Sequence, residues 1–221
     1  MTNSLSLDAH RRAPASGGAA KRLVVLLHGL GADGADLIEL APLLAGAFPD
    51  AEFLAPNAPF PCDMAPMGRQ WFSLRAMTMD DMLKGAREAA PILDAFLDES
   101  LEAHGLGERD LAVIGFSQGT MMALHTLLRR PAAAAALVGF SGLLIAPEIL
   151  SDEIRSRPPV LLVHGTADEV VPFQAMDAAK EALKAAGVPV EASRRPGLGH
   201  GIDPEGITLA VRHLQQAFAA D

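Results

Sequence analysis

One pentapeptide places a nucleophilic side chain between two glycines: Gly115-Phe116-Ser117-Gln118-Gly119. The apolar run Leu111–Phe116 precedes the serine, and the segment Gln118–Arg130, of helical period, follows it directly. At a sharp turn between a strand and a helix a serine hydroxyl is exposed, and the N–H groups of the helix face developing negative charge. The spacing therefore predicts a nucleophile at Ser117. The alternative is a glycine-flanked turn that carries an ordinary serine.

A serine hydroxyl is a weak nucleophile until a base takes its proton, and the base needs an acid to orient it. In this strand–turn–helix setting the chain order is serine, then acid, then histidine. Asp168 follows the apolar run Val160–Val163, and His200 lies in the glycine-rich segment Gly197-Leu198-Gly199-His200-Gly201. Both residues follow strands, at the sheet edge where parallel α/β proteins place their sites. We therefore predict Asp168 as the orienting acid and His200 as the base.

Other readings of these two residues stay open. Asp168 could instead stabilise its loop or cap the following helix, and His200 could be an ordinary histidine of a surface loop. The remaining candidates fit less well, because Asp177 lies inside a predicted helix and Asp203 suits a helix cap. His104, His125 and His213 lie on predicted helices. His28 and His164 precede glycine at strand ends, where we expect buried side chains that organise the loops.

Two backbone N–H groups are needed to stabilise the oxyanion of a tetrahedral intermediate. One is expected from Gln118, the residue after the nucleophile. The second is expected from Leu30, within the glycine-rich loop His28-Gly29-Leu30-Gly31-Ala32-Asp33-Gly34. A phosphate-binding loop is the competing interpretation, but the spacing Gly-x-x-x-x-Gly-Lys-Ser/Thr is absent.

The segment Pro59–Met79 is rich in methionine and aromatic residues but has no clean period. Methionine adapts to variable apolar ligands, so we predict an acyl-binding wall that includes Met67, Trp71 and Phe72. A satellite of the hydrophobic core is the alternative. Ser141 lies in a second glycine-flanked turn without a following helix start, and we assign it to the substrate cleft rather than to nucleophilic attack.

Composition limits the function further. The chain of 221 residues has 18 Lys and Arg against 27 Asp and Glu, a formal net charge of −9, and no dense basic run. This argues against nucleic-acid binding. The single cysteine, Cys62, excludes an internal disulfide and fits a reducing compartment. It lacks the setting of a catalytic thiol, and no grouping of His, Cys, Asp and Glu has metal-ligand spacing, so we expect neither a metal nor a cofactor.

The apolar segments of the chain argue against a secretory signal and against a membrane-spanning helix. Met1–Ala20 has no continuous apolar core like that of a secretory signal, and the longest apolar stretch, Ala132–Ala146, is shorter than the ~20 residues that span a bilayer. We expect a cytoplasmic location without stable membrane insertion.

Short apolar runs alternate with segments of helical period, which predicts βαβ units and a mostly parallel sheet flanked by helices. We divide the chain into a leader, residues 1–20, that is either an edge strand or a loose segment, and a single α/β domain, residues 21–221. Pro42 and Pro91 interrupt helical patterns, so those helices should start late or kink. The interval from Phe140 to Pro158 is too short for a large cap domain.

Several motifs together resemble the phospholipase/carboxylesterase family, the compact α/β-hydrolase group that includes bacterial carboxylesterases and acyl-protein thioesterases. The resemblance covers nearly the whole chain from about Lys21. It rests on His28-Gly29-Leu30-Gly31, Gln70-Trp71-Phe72-Ser73, Gly115-Phe116-Ser117-Gln118-Gly119, His164-Gly165-Thr166-Ala167-Asp168-Glu169-Val170-Val171-Pro172 and Gly199-His200.

This resemblance implies an α/β-hydrolase fold with Ser117 as nucleophile, His200 as base, Asp168 as orienting acid, and the amides of Leu30 and Gln118 as oxyanion donors. It implies hydrolysis of a small-molecule acyl ester, thioester or lysophospholipid through an acyl-enzyme, with homodimers frequent in the family. Two alternatives remain: a serine peptidase of the same fold, and a non-catalytic ligand-binding protein on that fold.

Overall fold

The structure is a computed structural model that describes residues 7–76 and 78–220. Residues 1–6 of the predicted leader, Met77 of the methionine-rich segment and the terminal Asp221 lie outside the described residues.

A central sheet organises the described part of the chain. Its seven strands run in the order β1-β3-β2-β6-β7-β8-β9, and every neighbouring pair is parallel except β1 and β3. Two further short strands, β4 and β5, form a separate antiparallel hairpin. The strands are β1 (Ala9–Arg12), β2 (Arg22–Leu27), β3 (Ala51–Pro56), β4 (Phe60–Pro61), β5 (Arg69–Gln70), β6 (Leu111–Phe116), β7 (Ala136–Phe140), β8 (Val160–Gly165) and β9 (Val190–Arg195).

Helices cover both faces of the sheet. The helices of the described chain are α1 (Gly34–Leu37), α2 (Ala41–Ala45), α3 (Met79–His104), α4 (Gln118–Leu127), α5 (Leu150–Glu153), α6 (Gln174–Ala185) and α7 (Pro204–Ala219). One core cluster joins the sheet to α3, α4 and α6, and a second joins it to α1, α2 and α7. Because both faces are covered, the central strands are apolar throughout rather than alternating. The predicted mostly parallel sheet flanked by helices is confirmed.

The helix α3 differs from the sequence prediction at its proline. Its N-terminus is capped by Thr78, whose hydroxyl accepts the N–H of Asp81, and the helix continues through Pro91. Of the two predicted outcomes, a late start or a kink, the late start is therefore wrong for this helix. A proline inside a helix costs about 3 kcal/mol, whereas each fully buried large apolar side chain contributes about 1.5–3 kcal/mol. Leu93 and Leu97, both buried in the core cluster that α3 shares with α4, outweigh that cost.

Two further segments, the described part of the predicted leader and the connection between β7 and β8, complete the fold. Ala9–Arg12 pairs with β3 as an antiparallel edge strand. Between β7 and β8 the chain forms only the 3₁₀ turn Pro147–Ile149 and the short helix α5, so no large cap covers the sheet there. In the described residues, no helix is both long and apolar enough to cross a bilayer.

Candidate active site

Ser117 lies between the end of β6 and the first residue of α4. Its backbone has φ 54° and ψ −116°, a conformation that side chains of L-residues rarely adopt. Such strain costs on the order of 1–3 kcal/mol and persists only where the surroundings impose it. Here the Ser117 N–H donates to the carbonyl of Phe140 at 2.8 Å, and a Cβ atom on Gly119 would overlap the carbonyl oxygen of Leu27. The second glycine of the pentapeptide therefore allows α4 to pack directly on β2.

The predicted acid and base are in contact. His200 Nδ1 lies 2.8 Å from Asp168 Oδ2, while Asp168 Oδ1 accepts the N–H groups of Val170 and Val171, both at 2.9 Å. Burial by itself would raise the pKa of Asp168. The hydrogen bonds from His200, Val171 and Val170 outweigh it and hold the pKa of this carboxyl below its ordinary value. Since an ionised carboxylate only accepts, Nδ1 of His200 carries the proton of this hydrogen bond, which leaves Nε2 as the nitrogen that can act as a base.

Tight backbone packing holds the loops of this pair together. A Cβ atom on Gly165, at the end of β8, would overlap the carbonyl oxygen of Leu198. The N–H of Ala167 donates to that same carbonyl at 2.9 Å. The loop that carries Asp168 is thus joined to the loop that carries His200, one residue before Asp168 and two residues before His200.

The predicted base, His200, lies beside the elbow, the turn at Ser117 between β6 and α4. The ring of His200 packs against the ring of Phe116, with 4.9 Å between the centroids, and Phe116 is the residue before Ser117. The Ser117 hydroxyl makes no hydrogen bond to any other described residue, so the contact between nucleophile and base is not formed in this conformation. Catalytic hydrogen bonds of this kind commonly tighten only when substrate is bound.

A second histidine contacts the acid, a contact that sequence analysis missed. His164 Nε2 lies 2.8 Å from the carbonyl oxygen of Val171 and 3.2 Å from Asp168 Oδ2, and both side chains are inaccessible to solvent. The imidazole closes the loop between β8 and Val171, as expected of a loop-organising residue. Its four-residue spacing from Asp168 was the only signal in the sequence for the second contact.

The two predicted oxyanion donors belong to segments that contact or directly follow Ser117. Leu30 follows Gly29, and a Cβ atom on Gly29 would lie 3.2 Å from Ser117 Cβ, so this loop touches the elbow. Gln118 is the first residue of α4, where backbone N–H groups have no partner within the helix. Among the described residues, neither the Leu30 N–H nor the Gln118 N–H donates to another protein group.

The four predicted substrate-binding residues lie in different environments. Trp71 and Phe72 are buried, at 0% and 2% exposure, and Met67 is 81% exposed in the connection between β4 and β5. Ser141 is buried at the end of β7 with φ 48°, and its hydroxyl has no partner in the described part of the chain. Substrate contact by these four residues stays a prediction.

Chemically, this arrangement can activate a hydroxyl group and stabilise an oxyanion. Within residues 7–76 and 78–220, no group of His, Cys, Asp and Glu side chains could hold a metal ion. The predicted site residues themselves can supply proton transfer, nucleophilic attack and hydrogen bonding to developing charge.

Comparisons with known proteins extend over most of the chain. A family model described as Phospholipase/Carboxylesterase matches residues 10–218. The chain is 31% identical over 196 residues to esterase YpfH of Escherichia coli (strain K12), covering 89% of this chain and 83% of that protein. It is 25% identical over 203 residues to acyl-protein thioesterase 1 homolog 1 of Dictyostelium discoideum, covering 88% and 90%. The crystal structure of esterase PE8 matches with a TM-score of 0.92 and 44% identity, covering 96% of this chain and 99% of that one.

Proposed function

Because the chain belongs to the phospholipase/carboxylesterase family, we propose that it is a serine hydrolase that uses Ser117, His200 and Asp168. The family resemblance of its motifs is confirmed, and the chain is an enzyme of the esterase and thioesterase kind. The proposal adds the residues and the acyl-enzyme mechanism to that assignment.

In the proposed reaction, His200 Nε2 takes the proton of the Ser117 hydroxyl as its oxygen attacks the acyl carbonyl carbon. The resulting oxyanion accepts hydrogen bonds from the amides of Leu30 and Gln118, while Asp168 stabilises the imidazolium. The carbon–oxygen or carbon–sulfur bond to the leaving group breaks, and His200 returns the proton to that group. Water then attacks the acyl-enzyme with the same base, which releases the acid and regenerates the serine.

The observation that carries this proposal is the 2.8 Å hydrogen bond between His200 Nδ1 and the buried carboxylate of Asp168. It fixes the tautomer that leaves Nε2 available as a base. The ring that it orients packs on Phe116, next to the strained Ser117. An ordinary histidine of a surface loop would need neither a buried carboxylate as its partner nor a position close to Ser117.

The substrates we propose are small-molecule acyl esters and acylated thiols, with lysophospholipids included. The absence of a large cap between β7 and β8 in the described chain supports a cleft that admits bulky leaving groups. An ester series varied separately in its acyl and alcohol parts tests this point. Hydrolysis that tolerates large alcohols is expected, and steep rejection of them would count against an open cleft.

Location and assembly are part of the proposal. A cytoplasmic enzyme is consistent with the single cysteine, which cannot form an internal disulfide. A homodimer is expected from the family resemblance alone. Light scattering on the purified protein measures the mass in solution, and a value of 23.1 kDa would show a monomer.

Pre-steady-state kinetics with p-nitrophenyl butyrate tests the mechanism. We expect a burst of p-nitrophenol stoichiometric with enzyme wherever deacylation is slower than acylation, and a loss of several orders of magnitude in kcat for Ser117→Ala. Ser151→Ala, at an exposed serine of α5, is the matched control and should behave as wild type. Near wild-type hydrolysis by Ser117→Ala would refute the assignment, and faster turnover of peptide amides than of esters would favour a peptidase.

A further inference from the structure

The two candidate oxyanion donors belong to segments far apart in the sequence. The Leu30 amide follows β2, whereas the Gln118 amide begins α4. To share one oxyanion, both N–H groups must point at the same position within a few tenths of an ångström, and that demands fixed peptide planes. The stabilisation of the Leu30 peptide therefore decides whether the second donor is effective.

The side chain of His28 binds that peptide directly. His28 Nδ1 lies 2.7 Å from the carbonyl oxygen of Gly29. That carbonyl and the Leu30 N–H belong to one planar trans peptide, in which the C=O and the N–H point in opposite directions. The contact with the Gly29 oxygen therefore determines where the Leu30 N–H points.

A second hydrogen bond fixes the proton on the correct nitrogen. The N–H of Ala58 donates to His28 Nε2 at 3.0 Å, so Nε2 is the unprotonated nitrogen and Nδ1–H is the donor to Gly29. Full burial of the ring lowers the pKa of His28 and keeps it neutral. Donation to the Gly29 carbonyl also polarises the peptide, which makes the Leu30 N–H a stronger donor.

A continuous set of hydrogen bonds connects His28 to the other donor. The indole Nε1 of Trp71 donates to the His28 carbonyl at 3.0 Å. The buried carboxamide of Gln118 accepts the Trp71 N–H at 2.9 Å and donates to the Phe72 carbonyl at 2.7 Å. The segment Trp71–Phe72 thus joins the loop of one donor to the residue that supplies the other.

We propose that His28 is a positioning residue that aims the Leu30 amide at the oxyanion, with Trp71 holding His28 in register with Gln118. This inference rests on the proposed function and adds two buried residues that act on the oxyanion donors through hydrogen bonds. It assigns the buried ring of Trp71 to the support of the oxyanion site, behind the loop that carries Leu30.

Two amide substitutions separate the two hydrogen bonds of the ring. In His28→Asn the side-chain NH₂ group replaces Nδ1 and keeps the bond to Gly29. In His28→Gln the amide reaches the position of Nε2, which keeps the partner of Ala58 but removes the donor to Gly29. The pair alters the same buried residue, and only one member removes the contact that aims Leu30.

Matched oxo- and thionoesters supply a readout, the ratio of their kcat values, that does not change when a variant is only less stable. Sulfur is a weak hydrogen-bond acceptor, so a thionoester gains less from oxyanion donors than its oxygen counterpart. Loss of an oxyanion donor costs about 10²–10³ in kcat, and we expect a misaimed donor in His28→Gln to cost roughly 10–10² with little change in KM. The oxo/thiono ratio should fall by a similar factor, while His28→Asn should stay within a few-fold of wild type.

Equal losses in His28→Asn and His28→Gln, or an unchanged oxo/thiono ratio in His28→Gln, would overturn the inference. If His28→Gln does not fold, Trp71→Phe decides, because it removes the indole donor to the His28 carbonyl and keeps an aromatic ring at this buried position. A lowered oxo/thiono ratio supports the inference and a wild-type ratio contradicts it. Ser117→Ala is assayed in parallel. Activity in that variant would refute the proposed function, whereas an inactive Ser117→Ala with an unchanged His28→Gln ratio refutes only the role of His28.

Discussion

The strained backbone of Ser117 predicts that the protein becomes more stable when its candidate nucleophile is replaced by glycine. With φ 54° and ψ −116°, a side chain at this position costs about 1–3 kcal/mol that glycine does not incur. Glycine in turn loses about 0.5–1 kcal/mol relative to alanine through the entropy of the unfolded chain. We therefore expect Ser117→Gly to exceed Ser117→Ala in free energy of unfolding by about 1 kcal/mol, the difference between the middle values of these two ranges.

Urea unfolding followed by tryptophan fluorescence measures this difference. Trp71 is the single tryptophan and the sequence has no tyrosine, so the emission reports one buried site. Both variants lack the hydroxyl, and their comparison isolates the backbone. Ala146, with φ 47°, is a control for positive φ away from this turn, and Ala146→Gly should leave hydrolysis intact. Because the relief of φ is offset by loss of a fully buried methyl group, its stability should stay within about 1 kcal/mol of wild type. A Ser117→Gly protein no more stable than Ser117→Ala would show that the elbow is not strained.

Three further perturbations test other contacts. His164→Gln keeps a donor near the position of Nε2 and should retain kcat within a few-fold of wild type. His164→Asn does not reach that position, and its kcat in steady-state assays should fall roughly 10-fold. Equal kcat values for the two variants would contradict a role through Nε2. Burial lowers the pKa of His125 to about 4, so the unfolded chain binds its proton first as the pH falls. The free energy of unfolding should decrease between about pH 6.5 and pH 4, by up to about 3 kcal/mol, and His125→Leu should remove that part of the urea-measured pH dependence. Gly119→Ala should destabilise the fold by about 1–3 kcal/mol or more through overlap with the Leu27 carbonyl, whereas Gly46→Ala, in open space, should be close to neutral by the same unfolding assay.

The parts of the structure that sequence analysis predicted are those encoded locally. The apolar runs Leu111–Phe116 and Val160–Val163 indeed lie in the strands β6 and β8. The elbow at Ser117 was recognisable because its glycines, its strand and its helix are contiguous. The pairing of Asp168 with His200 followed from their positions after two strands, since parallel strands end at one edge of a sheet.

The parts that could not be predicted depend on contacts between distant segments. The segment that contains Trp71 has no periodicity, and its burial is fixed by hydrogen bonds to Gln118 and His28, which lie 47 and 43 residues away along the chain. The passage of α3 through Pro91 depends on tertiary packing that outweighs a local preference. The contact of His164 with Asp168 forms only in the folded loop, and the spacing of four residues alone does not predict it.

Mapping the covalent adduct of a fluorophosphonate tests the central claim most directly. The probe reacts with a serine that has an activated hydroxyl and an oxyanion site. Intact mass and peptide sequencing should show one adduct per chain, on Ser117, with labelling strongly slowed in His200→Ala. An unlabelled native protein, or an adduct on a residue other than Ser117, would contradict the account.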